Sequence, residues 1–222
     1  MLQAPFDASF VTNQTHIVCG SLVPEIPLHL LNPKSPLGQF TESDLDTSPC
    51  GAPYWAFAWS GSQAIARYLL DNPEKVANLR VLDFASGCGL AAIAAAHCGA
   101  QQVIANDIDP ICQFTTELNA KLNQVTISYC GDNLLNHPLP EVDIILAGDV
   151  CYEEPLATQV INWLQNALQS GAQVLLGDPG RTFLPKSKQQ ILKRYHSQII
   201  QPWEDTDVTR ACIREILPPA PK

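Results

Sequence analysis

Asp83-Phe84-Ala85-Ser86-Gly87-Cys88-Gly89 follows a short apolar run and precedes an alanine-rich one. Small residues at a strand-to-helix turn let the backbone approach a ligand at the helix N-terminus, where amide groups lack helical partners. Asp107 stands 20 residues beyond Gly87, at the end of the next apolar run. A carboxylate at that distance suits ribose hydroxyls. Asp83, Ala85, Ser86, Gly87 and Gly89 are therefore candidates to cradle an adenosine-containing cofactor, with Asp107 on its ribose. The competing reading is an α/β turn that needs small residues only for packing.

A second pattern narrows the cofactor. The dinucleotide fingerprint reads G-x-G-x-x-G, but Ala85 replaces the first glycine if Gly87 is taken as the second, and Ala92 replaces the third if Gly87 is taken as the first. Four apolar runs end in a carboxylate: Asp83, Asp107, Asp149 and Asp178. In an open parallel sheet, ligands sit outside the carboxyl ends of the strands. A row of carboxylates there disfavours a pyrophosphate and favours cations. S-adenosyl-L-methionine carries a sulfonium and an α-ammonium, and a lysine acceptor adds an amine. A helix N-cap is the lesser reading for each Asp taken alone, and a weaker one still for all four together. Asp132 and Asn133, after the third run, are candidates for the adenine amino group, or for a simple Asx turn. Trp59, in the aromatic segment Tyr54–Trp59, could cover the cofactor or belong to the core.

Gly148-Asp149-Val150-Cys151-Tyr152 follows the fourth run. A free lysine has a pKa near 10.4, so only ~10⁻³ is neutral at physiological pH, a cost of roughly 4 kcal/mol. Asp149 and Tyr152 are the candidates to orient such an amine for in-line attack on a methyl carbon.

The elements that must position these residues are strands alternating with helices. Strands are expected at Arg80–Phe84, Gln101–Asp107, Val125–Cys130, Asp143–Asp149 and Gln173–Asp178. Helices are expected at Ser62–Leu70, Leu90–Cys98, Asp109–Asn123 and Pro155–Gln169. Near-continuous Val/Ile/Leu strands joined by helices imply a parallel sheet covered on both faces. A polar helix is expected near Lys186–Tyr195. Two strand-like runs follow, Ser197–Gln201 and Val208–Ile216, joined too briefly for a crossover and so antiparallel. The expected fold is thus α/β, a Rossmann-like seven-stranded mixed sheet. Residues 1–53, irregular and proline-rich, form an N-terminal arm on a domain of residues 54–222.

Composition bounds the partners. The 222 residues carry a net charge of −9, which argues against nucleic acid as a partner. No apolar run approaches the ~20 residues of a membrane span. The eight cysteines include no C-x-x-C pair, so no metal is expected and buried thiols in a reducing compartment are. No basic residue precedes Lys34, which disfavours secretory and mitochondrial leaders and favours the cytoplasm. The oligomeric state is open, with a monomer compatible.

Val81–Gly89, Ala105–Pro110, Asp149–Tyr152 and Leu176–Arg181 together resemble the seven-β-strand protein lysine methyltransferases. Pro53–Ala64 and Arg67–Pro73 are similar to the entry segment of the branch acting on the β-subunit of electron transfer flavoprotein. The resemblance spans roughly residues 22–181 and implies a class I fold. It implies S-adenosyl-L-methionine as donor, S-adenosyl-L-homocysteine as product, and a protein substrate carrying the acceptor lysine, with that β-subunit suggested. It would place the methionine part of the donor on Asp83–Gly89, the ribose on Asp107 and the adenine on Asp132. Trp59 would flank the site, and Asp149 with Tyr152 would face the acceptor. Other readings are a ribosomal or other protein lysine, a small-molecule amine, an NAD-dependent oxidoreductase, and a non-catalytic binding module.

Overall fold

A computed structural model describes residues 6–40, 44, 48–184, 189–196 and 210–216. Within them the chain opens with α1 (Ala8–Gln14), capped by the Asp7 carboxylate on the Phe10 amide, and an antiparallel ribbon of β1 (Thr15–Gly20) and β2 (Val23–Leu31). Then follow α2 (Ser60–Asp71), β3 (Arg80–Phe84), α3 (Leu90–His97), β4 (Gln102–Asn106), α4 (Pro110–Leu122) and β5 (Ser128–Cys130). The chain continues through β6 (Ile144–Gly148), α5 (Leu156–Gln169), β7 (Gln173–Asp178), β8 (Gln189–His196) and β9 (Arg210–Ile216).

The main sheet has seven strands in the order β5-β4-β3-β6-β7-β9-β8. β3 to β7 run parallel, and β9 lies antiparallel to both β7 and β8. The strand order reverses between β3 and β6, so the crevice outside their carboxyl ends is the expected ligand site.

The alternation of strand side chains builds a core on each face. Val81, Ile144, Leu146 and Leu175 point to the face covered by α2 and α3. Leu82, Ile145, Ala147, Val174 and Leu176 point to the face covered by α5, where Phe84 meets Trp163 at 4.8 Å between ring centroids. Alanines 91, 92 and 95 in α3 keep that helix close to the sheet. The ribbon adds a third layer: Val23, Ile26 and Leu28 pack on Ala66, Leu90 and Ile93. Val11 and Leu31 pack with Trp55 and Ile111.

Two expectations are corrected. Residues 189–196 of the polar segment expected as a helix near Lys186–Tyr195 form edge strand β8, paired with β9 from Gln189 opposite Ile216 to His196 opposite Arg210. Its Gln, Leu, Lys and Arg favour a helix, but pairing to β9 overrides that weak local preference. The run Ser197–Gln201 lies outside the described residues. The third parallel strand starts at Ser128 instead of Val125. The Val125 amide donates to the Ala120 carbonyl and Gln124 sits at φ +57°, so Val125 still belongs to the closure of α4.

Candidate active site

A cleft of about 830 Å³ opens at the carboxyl ends of β3, β4 and β6. That volume suits a cofactor-sized ligand. Trp59, Ala85, Gly87, Asp107, Asn133, Asp149 and Tyr152 line it; Asp83, Ser86, Gly89 and Asp132 do not.

One wall is the turn after β3. Ala85, Gly87 and Gly89 all have positive φ, at +55°, +53° and +80°. Gly is free there, whereas Ala85 adopts a conformation that L-residues disfavour. A Cβ on Gly87 would meet nothing nearer than the Tyr54 carbonyl at 3.6 Å, so its bare face is open to the cleft. The Asp107 carboxylate accepts the Gly87 amide at 2.9 Å and the Asp109 amide at 3.1 Å. Asp83 lies beneath the turn and accepts the Ala92 amide at 2.9 Å, capping α3. Burial pushes the Asp83 carboxyl up to about 7, opposed by that hydrogen bond and reinforced by the Asp107 charge. The buried Ser86 hydroxyl has no hydrogen-bond partner among the described residues. Asn133 accepts the Leu135 amide in an Asx turn, and Asp132 is exposed beside it.

Two residues bracing this wall escaped the sequence reading. Asn106 donates to the carbonyls of Cys130 and Asp132, tying the end of β4 to the loop after β5. The Tyr129 hydroxyl donates to the carbonyls of Asp107 and Asp109. Asn106 adjoins Asp107 in the sequence, which is a local signal; Tyr129 carries none.

The opposite wall combines the aromatic segment before α2 with the residues after β6. Tyr54 lies between Trp59 and Tyr152, with ring centroids 5.8 Å and 5.9 Å away. The Trp59 indole donates to the Tyr54 carbonyl at 3.0 Å. Burial raises the Tyr152 phenol to about 12, with Glu153 adding to the effect, so it is a neutral donor at physiological pH. Asp149 is buried at φ +57°. One oxygen accepts the Gly61 and Ser62 amides at 2.5 and 3.2 Å, and the other meets Arg181 at 3.2 Å. α2 has no capping side chain of its own, because its N-cap residue is Trp59. Asp149 supplies the cap from a distant part of the chain. The approach is possible only with glycine: a Cβ on Gly61 would overlap the Gly177 carbonyl, and one on Gly148 would overlap Ser62.

The row of strand-end carboxylates exists, but its reading as a set of free cation sites is corrected. Asp83, Asp107 and Asp149 accept backbone amides as above, and Asp178 accepts those of Gly180 and Arg181 at 2.6 and 2.8 Å. Chain leaving a strand for a helix or turn exposes unpaired amides that need acceptors. Of the four, only Asp107 and Asp149 line the cleft. Among the described residues no cluster suited to a metal ion occurs, and no helix is long and apolar enough to cross a membrane.

The seven-stranded order with one antiparallel strand and a cleft at its switch point defines the class I methyltransferase fold. Solved structures agree: a ribosomal protein L11 methylase from Lactobacillus delbrueckii subsp. bulgaricus superposes with TM-score 0.52 at 24% identity, covering 71% of this chain and 78% of that one. A magnesium protoporphyrin IX methyltransferase from Synechocystis with bound SAH gives 0.51 at 16% identity, covering 71% and 81%. The chain belongs to the lysine methyltransferase family, whose model matches residues 45–196. It is 46% identical over 164 residues to the electron transfer flavoprotein beta subunit lysine methyltransferase of Rattus norvegicus. That match covers 73% of this chain and 63% of the rat protein, so the chain spans under two thirds of that relative. The Caenorhabditis elegans homolog is 34% identical over 207 residues, covering 86% of this chain and 83% of that protein.

Proposed function

We propose that the chain is an S-adenosyl-L-methionine-dependent protein-lysine N-methyltransferase, and that its acceptor is the β-subunit of electron transfer flavoprotein. The cleft carries this reading. A turn with the open face of Gly87 and Asp107 forms one wall, while aromatic rings and Asp149 form the other, so two reactants can meet between them. Similarity to enzymes named for that β-subunit supports the acceptor.

The residues present fit the donor. The open face of Gly87 admits close approach of its methionine part, and Asp107 faces the cleft where ribose hydroxyls would bind. Ala85, Ser86 and Gly89 shape that turn, and Asp83 holds it to α3. Asn133 lines the cleft where the adenine would lie, with Asp132 exposed beside it outside the lining, and Trp59 lines the opposite side. When bound, the donor supplies an electrophilic methyl group on sulfur.

The chain's own part is binding and orientation. Tyr54, Trp59 and Tyr152 offer apolar ring surface to the aliphatic stem of a lysine. The Tyr152 hydroxyl remains protonated and can donate or accept at the amine. Asp149 holds the N-terminus of α2, and with it Trp59, in register with the strand ends. Proton loss from the lysine must precede attack, because only the neutral amine has a lone pair.

Incubation with labelled donor and purified β-subunit tests the proposal: mass spectrometry should find methylated lysine. Labelling of a ribosomal protein instead would replace the acceptor. Stabilisation by NAD but not by S-adenosyl-L-homocysteine in a thermal shift would remove the donor. The cytoplasmic location expected from the sequence belongs to the same proposal and is checked by cell fractionation.

A further inference from the structure

The charges around Asp149 decide which protonation state of an amine the cleft admits, an inference that rests on the lysine methyltransferase reading above. An unbalanced buried carboxylate would hold a lysine ammonium as an ion pair and raise its pKa. That would stabilise the form that cannot attack. The structure avoids this. One oxygen of Asp149 faces the amides at the N-terminus of α2, the positive end of that helix. The other meets the Arg181 guanidinium at 3.2 Å.

Arg181 is placed for this contact by its backbone. Its amide donates to Asp178 at 2.8 Å, and Gly180 at φ +107° turns the loop. The side chain lines the cleft, and its buried Nε has no hydrogen-bond partner among the described residues. The pairing with Asp149 is long for a charge-assisted bond. The guanidinium is therefore held over the carboxylate while its own fork is incompletely satisfied.

Among the described residues, the other charged and titratable groups felt at this end are Arg214, Asp178, Cys151, Tyr152, Glu153 and Asp107. Arg214 from β9 donates to the Asp178 carbonyl, and Asp178 itself is buried and pushed toward its neutral form. Burial raises the Cys151 thiol to about 12, with Asp178 and Asp149 adding to the rise and Arg214 and Arg181 opposing it, so it stays protonated. The Tyr152 phenol is neutral, raised by burial and by the Glu153 and Asp107 charges. We propose that Arg181 is a positioning residue that neutralises Asp149, so that the acceptor lysine is bound as the free amine, its proton having passed to water at the mouth.

The test is the pH dependence of kcat and KM for a peptide carrying the modified lysine, in wild type, Arg181→Gln and Arg181→Lys. The acid limb of kcat reports the bound acceptor. In Arg181→Gln it should move up by about one pH unit, a roughly tenfold loss near neutrality that disappears at alkaline pH. KM at neutral pH should fall, because the exposed Asp149 charge binds ammonium unproductively. Arg181→Lys should restore the wild-type limb. Calorimetric affinity for S-adenosyl-L-homocysteine should not change. If Arg181→Gln does not fold, Arg181→Met, which keeps the aliphatic stem, is read by the same limb. A loss of kcat equal at every pH, or a raised KM, overturns the inference. Wild type that methylates no lysine overturns the functional reading itself, whereas active wild type with an unshifted limb in the variants overturns the role of Arg181 alone.

Discussion

Asp107 accepts the backbone amide of Gly87 at 2.9 Å, so the carboxylate after β4 and the turn after β3 are one unit. The spacing of 20 residues that marked Asp107 as a ribose ligand also makes it the brace of the turn. Removing it should act twice, on the ribose contact and on the shape of the cradle.

Asp107→Ala is therefore expected to weaken S-adenosyl-L-homocysteine binding by about 1.5–3 kcal/mol, the range for a hydrogen bond to a charged group. That is roughly 10- to 100-fold in Kd. Isothermal calorimetry measures it, and unchanged affinity would remove Asp107 from the donor site.

The turn after β3 and its link to Asp107 were legible because their signals are local. Asp83–Gly89 and Asp107 are read within two strands and one helix, and Asp109-Pro110 marks the start of α4 by its own capping chemistry. The opposite wall was legible only in part. Asp149 and Tyr152 stand out at a strand end, but the cap that Asp149 gives α2 joins residues 88 apart. The same non-local cap explains why the helix begins at Ser60 and not at Ser62, where apolar spacing placed it. Arg181 and Tyr54 acquire their meaning from contacts that no periodicity records. The helix expected at the polar segment failed for a related reason. Ile191, Leu192 and Tyr195 have spacing compatible with a helix, and only the partner strand β9 decides the matter.

Gly61→Ala should destabilise the protein strongly, since a Cβ there would strike the Gly177 carbonyl and the Asp149 carboxylate. Backbone cannot yield as a flexible side chain would. Overpacking of this kind costs about 1–3 kcal/mol, occasionally more. Urea denaturation should show a lower midpoint, and α2 would have to lift from β7. Gly99→Ala offers a control in open space, although its φ of +80° carries a strain of its own.

Asp149→Ala is expected to abolish methyl transfer while leaving donor affinity within about threefold, since the donor wall lies across the cleft. Loss of the α2 cap should also cost about 0.5–2 kcal/mol of stability. Asp149→Asn separates the two effects: its amide oxygen can still accept from Gly61, so stability should recover, but the charge facing Arg181 is gone and turnover should not. Denaturation curves and single-turnover rates together check this, and a normal rate in either variant would exclude Asp149 from the reaction.

Asp83 gives the fold a pH dependence whose sign can be stated in advance. Burial raises its carboxyl from 3.8 to about 7 in the folded protein, so the native state holds a proton that the unfolded chain releases near pH 4. Stability then declines as pH rises from about 4 to about 7 and is flat above, because the unfolded state binds fewer protons across that window. The full effect is at most about 4 kcal/mol at 1.36 kcal/mol per tenfold change. Asp109 and Asp178 are raised in the same direction, so the raw curve sums several groups. The difference between wild type and Asp83→Asn isolates one of them, since Asn keeps an oxygen for the Ala92 amide and cannot ionise. Urea denaturation at a series of pH values should show the wild type losing ground to the variant between mildly acidic and neutral pH, with constant separation beyond. Parallel curves throughout would mean that Asp83 is already ionised in the native protein. The Asp107 charge contributes to the rise, so adding Asp107→Ala to the wild type should move the declining segment toward lower pH.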